Sequence, residues 1–478
     1  MASLLDSPEL LRSLVDALES PLNVVLPEQV AANAADFHAV FGKHRLRGRV
    51  LFAHKATGSS ALLRRLAAAD GAAGVDVASL GELQHALACG FTGDRITATG
   101  PKNPRFLWLA ARVGATVAVD SVGELDSVAA LVDAHALPRC RILIRLSGFT
   151  APAVRVLSRR SRFGIPARDL EDALEHVSRH RAAVELIGVS YHLDTTSLTE
   201  KATALEGCLT ALRTCREHGF DPQVIDVGGG FGISYLDERE AWEQYTSALS
   251  DAVLGSRPAM TWGNHGYGLR NDKGTLRGSL GLYPSWRPTA GAQYLDELLA
   301  APSAAHGGRR LATLVLEHLY DVHAEPGRAL LDQCGVTLAS VLEVRPSLAD
   351  SADLWVRLGA KADDVALEEH GVLMDPVLLS PAGANSDTDG GPVGVHLFGN
   401  LCLETDLITR RTVYLPRAPR TGDLLAFVNT AAYCMDFHSS RAQRHPAARK
   451  VAAWRSGETW QWCLDEAYWP HTQQGERS

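Results

Sequence analysis

The sequence predicts an α/β protein: a (β/α)8 barrel joined to a separate β domain. From residue 49 onward, short apolar runs alternate with Ala/Leu-rich stretches of helical spacing, and eight such runs precede residue 326. Strands alternating with helices argue for a parallel sheet, and eight units argue for closure into a barrel, with a doubly wound open sheet as the alternative. Chemically distinctive residues recur where these runs end, which is where such barrels carry their reactive groups. Beyond Arg328 the pattern changes to short strands broken by Gly and Pro, the signature of a β domain.

Taken in order, Asp6-Ser-Pro-Glu9 supplies the cap, proline and acid of a helix start, and Leu10, Leu11, Leu14, Val15 and Leu18 follow at helical spacing. Residues 21–27 read as a strand and 31–41 as a second helix. The barrel runs are 49–53, 74–78, 95–99, 116–120, 141–146, 186–193, 223–227 and 311–325. Their ends carry Lys55, then Asp76 and Ser79, Lys102, Asp120, Arg145, His192, Gly228-Gly-Gly230, and Glu325-Pro-Gly327-Arg328. Residues 237–310 break the rhythm and read as a long insertion, rich enough in Trp, Tyr and His to be ordered. Strands are expected at 336–345, 353–358, 393–398, 407–415, 424–428 and 460–463, and a surface loop at 381–392. The expected domains are a barrel over 31–335 carrying the insertion, and a β domain made of 1–30 and 336–478.

A net charge of -8, from 47 basic and 55 acidic residues without long blocks of either sign, offers no footprint for nucleic acid or an anionic membrane. No run reaches the roughly 18 apolar residues of a membrane span, and the N-terminus lacks the layout of a secretion signal. These features predict a cytoplasmic protein with a small-molecule partner. The eight cysteines include no Cys-x-x-Cys pair, so neither a metal site nor a disulfide framework is expected.

Lys55 stands at a strand end among small residues, where a lysine is either a solvated cap or a reactive amine. Gly228, Gly229 and Gly230 directly follow an apolar strand. They allow backbone N–H groups to cradle an anion, although a tight strand-to-helix turn explains them as well. Gly327-Arg328, after the next run, strengthens the anion reading, because the loops after strands seven and eight of such barrels bind phosphate and arginine grips it with a planar fork. Glu325 is either an ion-pair partner for that arginine or a carboxylate placed against a heterocycle, and His192 is either a core histidine or a working one.

The ordered set of stretches Phe52-Ala-His-Lys55-Ala, Gly74-Val-Asp-Val-Ala-Ser-Leu-Gly-Glu82, Gly100-Pro-Lys102, Val119-Asp-Ser-Val-Gly-Glu124, Arg162-Phe-Gly-Ile165, His192, Asp226-Val-Gly-Gly-Gly-Phe-Gly232, Glu325-Pro-Gly-Arg-Ala-Leu330, Cys402 and Ala432-Tyr433 resembles the fold-type III pyridoxal phosphate-dependent decarboxylases. That is the family of diaminopimelate, ornithine and arginine decarboxylases, with an alanine racemase-like barrel. The resemblance implies pyridoxal 5'-phosphate as cofactor and decarboxylation of an amino acid at its α-carbon. It implies that Lys55 forms the internal aldimine, that His192 stacks on the ring and that Glu325 pairs with the ring nitrogen. Gly228, Gly229, Gly230, Gly327, Arg328 and Tyr433 would hold the phosphate with the Thr195 hydroxyl, and Asp76 would sit close to Lys55. It also implies a head-to-tail homodimer in which Cys402 enters the other subunit's site as the proton donor. The alternatives are racemisation or other carbanion chemistry on the same fold, disfavoured by Glu325, and a catalytically silent binding protein.

The chain departs from the family at His192-Leu-Asp194-Thr195, where the family usually reads His-Ile-Gly-Ser, and at Leu403, which is usually acidic in members that hold a distal ammonium. Leu403 leaves such an ammonium unpaired unless Glu404 takes the role. His265, Tyr267 and Arg270 of the insertion are then the expected readers of the substrate's distal end.

Overall fold

The computed structural model describes residues 1–69, 73–149, 161–193, 195, 197–347, 353–380 and 391–470. Asp194 and most of the 381–392 loop lie outside them. The chain divides into two compact units, one of residues 30–232, 289–330 and 469–478, the other of residues 1–29, 233–288 and 331–468.

The first unit is a closed barrel. Its strands are Gly48–Ala53, Ala73–Val77, Ile96–Ala98, Thr116–Val119, Cys140–Ser147, Val184–Tyr191, Val224–Asp226 and Asp321–Ala324. Each pairs in parallel with the next in chain order, and the eighth returns to pair with the first through Ala324 and Val50. The strands are short and almost wholly buried because helices cover the outside, which is why they read as continuous apolar runs rather than alternating ones.

Five of the helices after strands begin on a side-chain cap: Ser59, Ser79, Asn103, Ser121 and Ser197 each accept a hydrogen bond from the amide three residues on. Glu82 Oε2 reaches back to the Ala78 amide at 2.7 Å, and Glu124 Oε2 to the Asp120 amide at 2.9 Å. These caps fix where each loop at the barrel mouth ends. After the seventh strand the chain turns on glycine instead.

One expected strand is corrected. The run 311–325 is a helix, Leu311–Glu317, followed by the strand Asp321–Ala324. Leu311, Ala312, Leu314 and Val315 are buried at helical spacing, and Leu319, at φ +58°, lets the chain reverse before the strand.

The second unit is built on the long strand Gly335–Pro346, which pairs with Leu22–Val25, Leu354–Leu358 and Leu424–Val428. Val393–Phe398 continues the sheet beyond Leu354–Leu358, and Arg449–Ser456 lies on the far side of Leu22–Val25. Two apolar cores result, one centred on Val356, Leu358, Val395, Leu397 and Phe427, the other on Leu11, Leu14, Leu22, Val24, Val336 and Leu338. The expected strand 407–415 shrinks to Val413–Leu415 plus a bridge between Phe398 and Leu407.

Residues 233–288, read above as part of a barrel insertion, cluster with this β unit. They form the helix Arg239–Leu254 and the hairpin of Leu269–Asp272 with Thr275–Gly278, around a small core of Leu249, Tyr267 and Leu282. The Trp262 amide donates to the Arg410 carbonyl at 2.6 Å and the Tyr283 amide to the Gly371 carbonyl at 2.9 Å.

Asn23 ties the N-terminal strand into the sheet interior, its Oδ1 accepting from Thr337 Oγ1 at 2.8 Å with both residues buried. Asn23→Ala removes this acceptor and leaves the Thr337 hydroxyl with Thr430 Oγ1 alone, at 3.0 Å, and is expected to cost about 1 kcal/mol. Chemical denaturation measures this, and an unchanged midpoint would contradict the assigned role.

Candidate active site

At the C-terminal ends of the barrel strands lies a cavity of about 550 Å³ lined by Lys55, Asp76, Arg145, Tyr191, His192 and Glu325 among others. Lys55 sits in the 3-10 turn His54–Ala56 that follows the first strand, and its side chain is exposed. The neighbouring His54 is buried, with Nε2 2.9 Å from His85 Nδ1, whose Nε2 is 2.9 Å from Ser60 Oγ. This chain of contacts anchors the turn that presents the lysine. Lys102 Nζ, by contrast, is buried and donates to the Gly100 and Ala118 carbonyls and to Glu124.

Three carboxylates face this region from different strands. Asp76 accepts from Thr99 Oγ1 at 2.5 Å. Burial, then the Glu325 charge, pushes the Asp76 carboxyl up to about 7. Burial also raises Glu325, against the pull of Lys55 and Arg145, and raises Asp226 well above the usual carboxylate range, with Glu325 adding to it. Carboxylates this close and this desolvated favour a shared proton between Glu325 and Asp226. His192 Nδ1 is 3.6 Å from Glu325 Oε2 and accepts from the Gly229 amide at 3.3 Å.

The glycine turn requires its composition. Gly228 has φ +63°, and a Cβ there would stand 2.3 Å from the Tyr191 carbonyl oxygen; one at Gly229 would stand 2.9 Å from the Glu325 carbonyl oxygen. Beneath the turn is a residue not anticipated from sequence. Lys201 is fully buried and donates to the Gly229 carbonyl, with its pKa lowered to about 8 by burial against the opposing pull of Glu325 and Asp226. Its signal was a lysine on the apolar face of the helix Leu198–Glu217, beside Ala204, Leu205 and Cys208. Thr195 Oγ1 accepts from the Ser197 amide at 3.0 Å, in the approach to that helix. Gly327 and Arg328 follow the eighth strand, Arg328 opening the 3-10 turn Arg328–Leu331.

The β unit holds the remaining residues. Tyr433 has φ +67° and its ring is 5.7 Å from that of His370. Cys402 is exposed, its amide donating to Gln443 Oε1 at 3.0 Å. Cys402, Leu403 and Glu404 line a second cavity, of about 490 Å³, together with Trp262 and Trp355. The three expected readers of the distal end do not line it. Tyr267 is buried, its hydroxyl donating to Glu368 at 3.0 Å; His265 packs edge-on against Tyr267; and Arg270 lies exposed on the hairpin. The insertion does reach this cavity, through Trp262.

The fold and cavities now permit comparison with known proteins. The family described as pyridoxal-dependent decarboxylase, pyridoxal binding domain, matches residues 28–260. An uncharacterized protein of Sinorhizobium fredii is 30% identical over 437 residues, 89% of this chain and 86% of that protein. Diaminopimelate decarboxylase of Staphylococcus aureus is 22% identical, covering 92% of this chain and 89% of that one. Among solved structures, diaminopimelate decarboxylase of Helicobacter pylori complexed with L-lysine superimposes with a TM-score of 0.67 at 17% identity, covering 94% of this chain and 95% of that one. Arginine decarboxylase of Paramecium bursaria Chlorella virus gives a TM-score of 0.65 at 18% identity, covering 93% and 100%.

Asp76 carries a pH signature. Its proton is held in the native state up to about pH 7 but leaves the unfolded chain near the ordinary aspartate value of about 4. The native state is therefore progressively penalised as pH rises between those two values, and the full penalty applies above them. In protein freed of small molecules, Asp76→Asn is expected to raise the melting temperature at pH 8 and to change it little at pH 4.5. Equal shifts at both pH values would contradict this.

Proposed function

Because the chain belongs to the pyridoxal-dependent decarboxylase family, we propose that it removes the α-carboxylate of an amino acid with Lys55 as the cofactor-bearing residue and Cys402 as the proton donor. The observation that carries this reading is the exposed amine of Lys55, the one lysine lining this cavity among the described residues, together with Asp76, His192 and Glu325. The cofactor of the family is pyridoxal 5'-phosphate, and the residues fit it. Lys55 supplies the amine for its aldehyde, the raised carboxylates are only partly offset by Lys55, Arg145 and Lys201 and suit the positive charge of a protonated ring nitrogen, and the glycine turn has the side-chain-free surface that a phosphate needs. When bound, that group would supply an electron sink for the pair released as CO2 leaves.

The protein's residues then act on protons and position. Glu325, buried beside Asp226, would keep a proton on the ring nitrogen. His192, fixed by the Gly229 amide, would cover the ring, while the backbone of Gly228 to Gly230 and of Gly327, with Arg328, Thr195 and Tyr433, would take the phosphate. Lys201 supports the turn from below. Cys402 would deliver a proton to the α-carbon in the partner subunit of a head-to-tail homodimer, a role supported by the exposure of its thiol and by the resemblance. Among the described residues no helix is long and apolar enough to cross a membrane.

Diaminopimelate, named in several relatives, heads the substrates to be tried. Leu403 is 54% exposed and offers no charge to a distal ammonium, so lysine and ornithine are expected to be poor substrates unless Glu404 turns inward to pair it. Efficient turnover of either, unaffected by Glu404→Gln, would refute this expectation. The test is incubation of the purified protein with a panel of L- and D-amino acids, meso-diaminopimelate included, following CO2 and amine by mass spectrometry. Release from none, with α-proton exchange from some, would overturn decarboxylation.

One labelling experiment and one variant separate the assigned roles. Borohydride reduction and peptide mapping are expected to find the pyridoxyl group on Lys55, and finding it on Lys102, Lys201 or Lys361 would refute the assignment. Cys402→Ala is expected to keep cofactor absorbance while product protonation slows by about 10²-fold or is misdirected; an unchanged rate and product distribution would make the cysteine structural.

A further inference from the structure

The face of the β unit beside Cys402 is unusual for an outward sheet face. In Leu354–Leu358, Val356 and Leu358 enter the core, and in Val393–Phe398, Val395 and Leu397 do so. The alternate residues, Trp355, Arg357, His396 and Phe398, must therefore point the other way. Solvated polar residues are the ordinary occupants of such a face. Here cross-strand register instead aligns Arg345 with Trp355 and His396, and Glu343 with Arg357 and Phe398. Trp262, brought in by residues 233–288, stands with its ring 5.4 Å from Trp355 and 5.8 Å from His396. The result is an aromatic wall in the cavity of about 490 Å³ that Cys402, Leu403 and Glu404 also line.

The charges along that wall are unevenly matched. Arg357 has Glu343 at 3.3 Å, and His396 has Asp353 at 3.6 Å. Asp406 spends its carboxylate on the Ala362 and Leu401 amides, each at 2.8 Å. Arg345 enters no ion pair among the described residues; its guanidinium lies over Trp355 at 4.9 Å and near Phe398 at 5.7 Å. A guanidinium held on aromatic faces keeps its planar fork available for a carboxylate. Trp355 Nε1 and His396 Nδ1 are also buried without a hydrogen-bond partner. Leu403 lines the same cavity with an apolar surface, and Glu404 beside it in sequence is the acid that a distal ammonium would need to reach.

We propose that this cavity binds the distal part of the substrate, and that the substrate is an α-amino acid whose side chain runs on through an uncharged acyl or aryl segment to a terminal carboxylate. The inference rests on the assignment of Cys402 to the reacting carbon, since a molecule protonated there extends into the adjoining cavity. The acyl or aryl segment lies along Trp262, Trp355 and Phe398, and the carboxylate meets Arg345. Acylation of the distal nitrogen replaces its charge with a flat amide that packs on the aromatic wall.

Product amines test this without turnover. Calorimetry of the holoenzyme with N-succinyl-1,5-diaminopentane, N-acetyl-1,5-diaminopentane and unmodified 1,5-diaminopentane is expected to rank them in that order, the succinyl compound binding at least about tenfold tighter than the acetyl one. Arg345→Met is expected to abolish the succinyl advantage and keep the acetyl affinity; Trp355→Leu is expected to weaken both acylated amines. Arg345 is exposed, so its variant is not expected to disturb folding. Equal binding of the succinyl and acetyl compounds by the wild type, or an advantage that survives Arg345→Met, would overturn the proposal. The decarboxylase reading is judged separately, by CO2 release from Nε-succinyl-L-lysine. The predicted amine ranking without CO2 would uphold the cavity's ligand class and remove the reaction.

Discussion

Asp76, Asp226 and Glu325 are taken out of water beside one another, and the rest of the barrel mouth is arranged around the electrostatic cost of doing so. Isolated buried carboxylates protonate or find a cation. Here the cations are Lys55, Arg145 and the buried Lys201, and they offset the cost only in part, since all three carboxylates are raised. A positively charged heterocycle with a phosphate tail would answer both needs, its charge meeting the carboxylates and its anion the glycine turn. The same cluster explains why Lys55 is the amine left exposed: Lys102 and Lys201 are committed to carbonyls and carboxylates within the wall.

Much of this was legible in the sequence because the barrel repeats one physical problem. Each strand must end, turn and hand over to a capped helix, so Ser79-Leu-Gly-Glu82 and Ser121-Val-Gly-Glu124 announce their loops locally. The glycine turn is legible for the same reason, as a backbone conformation that only glycine takes without strain. What failed was long-range or ambiguous in period. The helix Leu311–Glu317 was merged with the strand after it because both are apolar, and the strand Arg449–Ser456 was missed because its buried Ala452 and Ala453 carry little strand signal. Lys201 needed knowledge of which helix face meets the glycine turn.

The insertion shows the limit most clearly. Its cationic and aromatic content was visible, but composition could not say which residues would be consumed by its own small core. Tyr267 is spent on Glu368, whereas Trp262 reaches the cavity. The aromatic wall it completes depends on strand register, which pairs Trp355 with His396 across a parallel ladder and is not readable from either strand alone.

The central claim is that the barrel mouth stores protons on its carboxylates until a cationic cofactor replaces them. Infrared difference spectroscopy of the cofactor-free and cofactor-loaded protein at neutral pH tests it directly. The predicted result is a protonated-carboxyl stretch in the cofactor-free protein that disappears on loading and is altered by Glu325→Gln. A spectrum in which loading leaves the carboxyl region unchanged, or in which the band is indifferent to Glu325, would contradict the account.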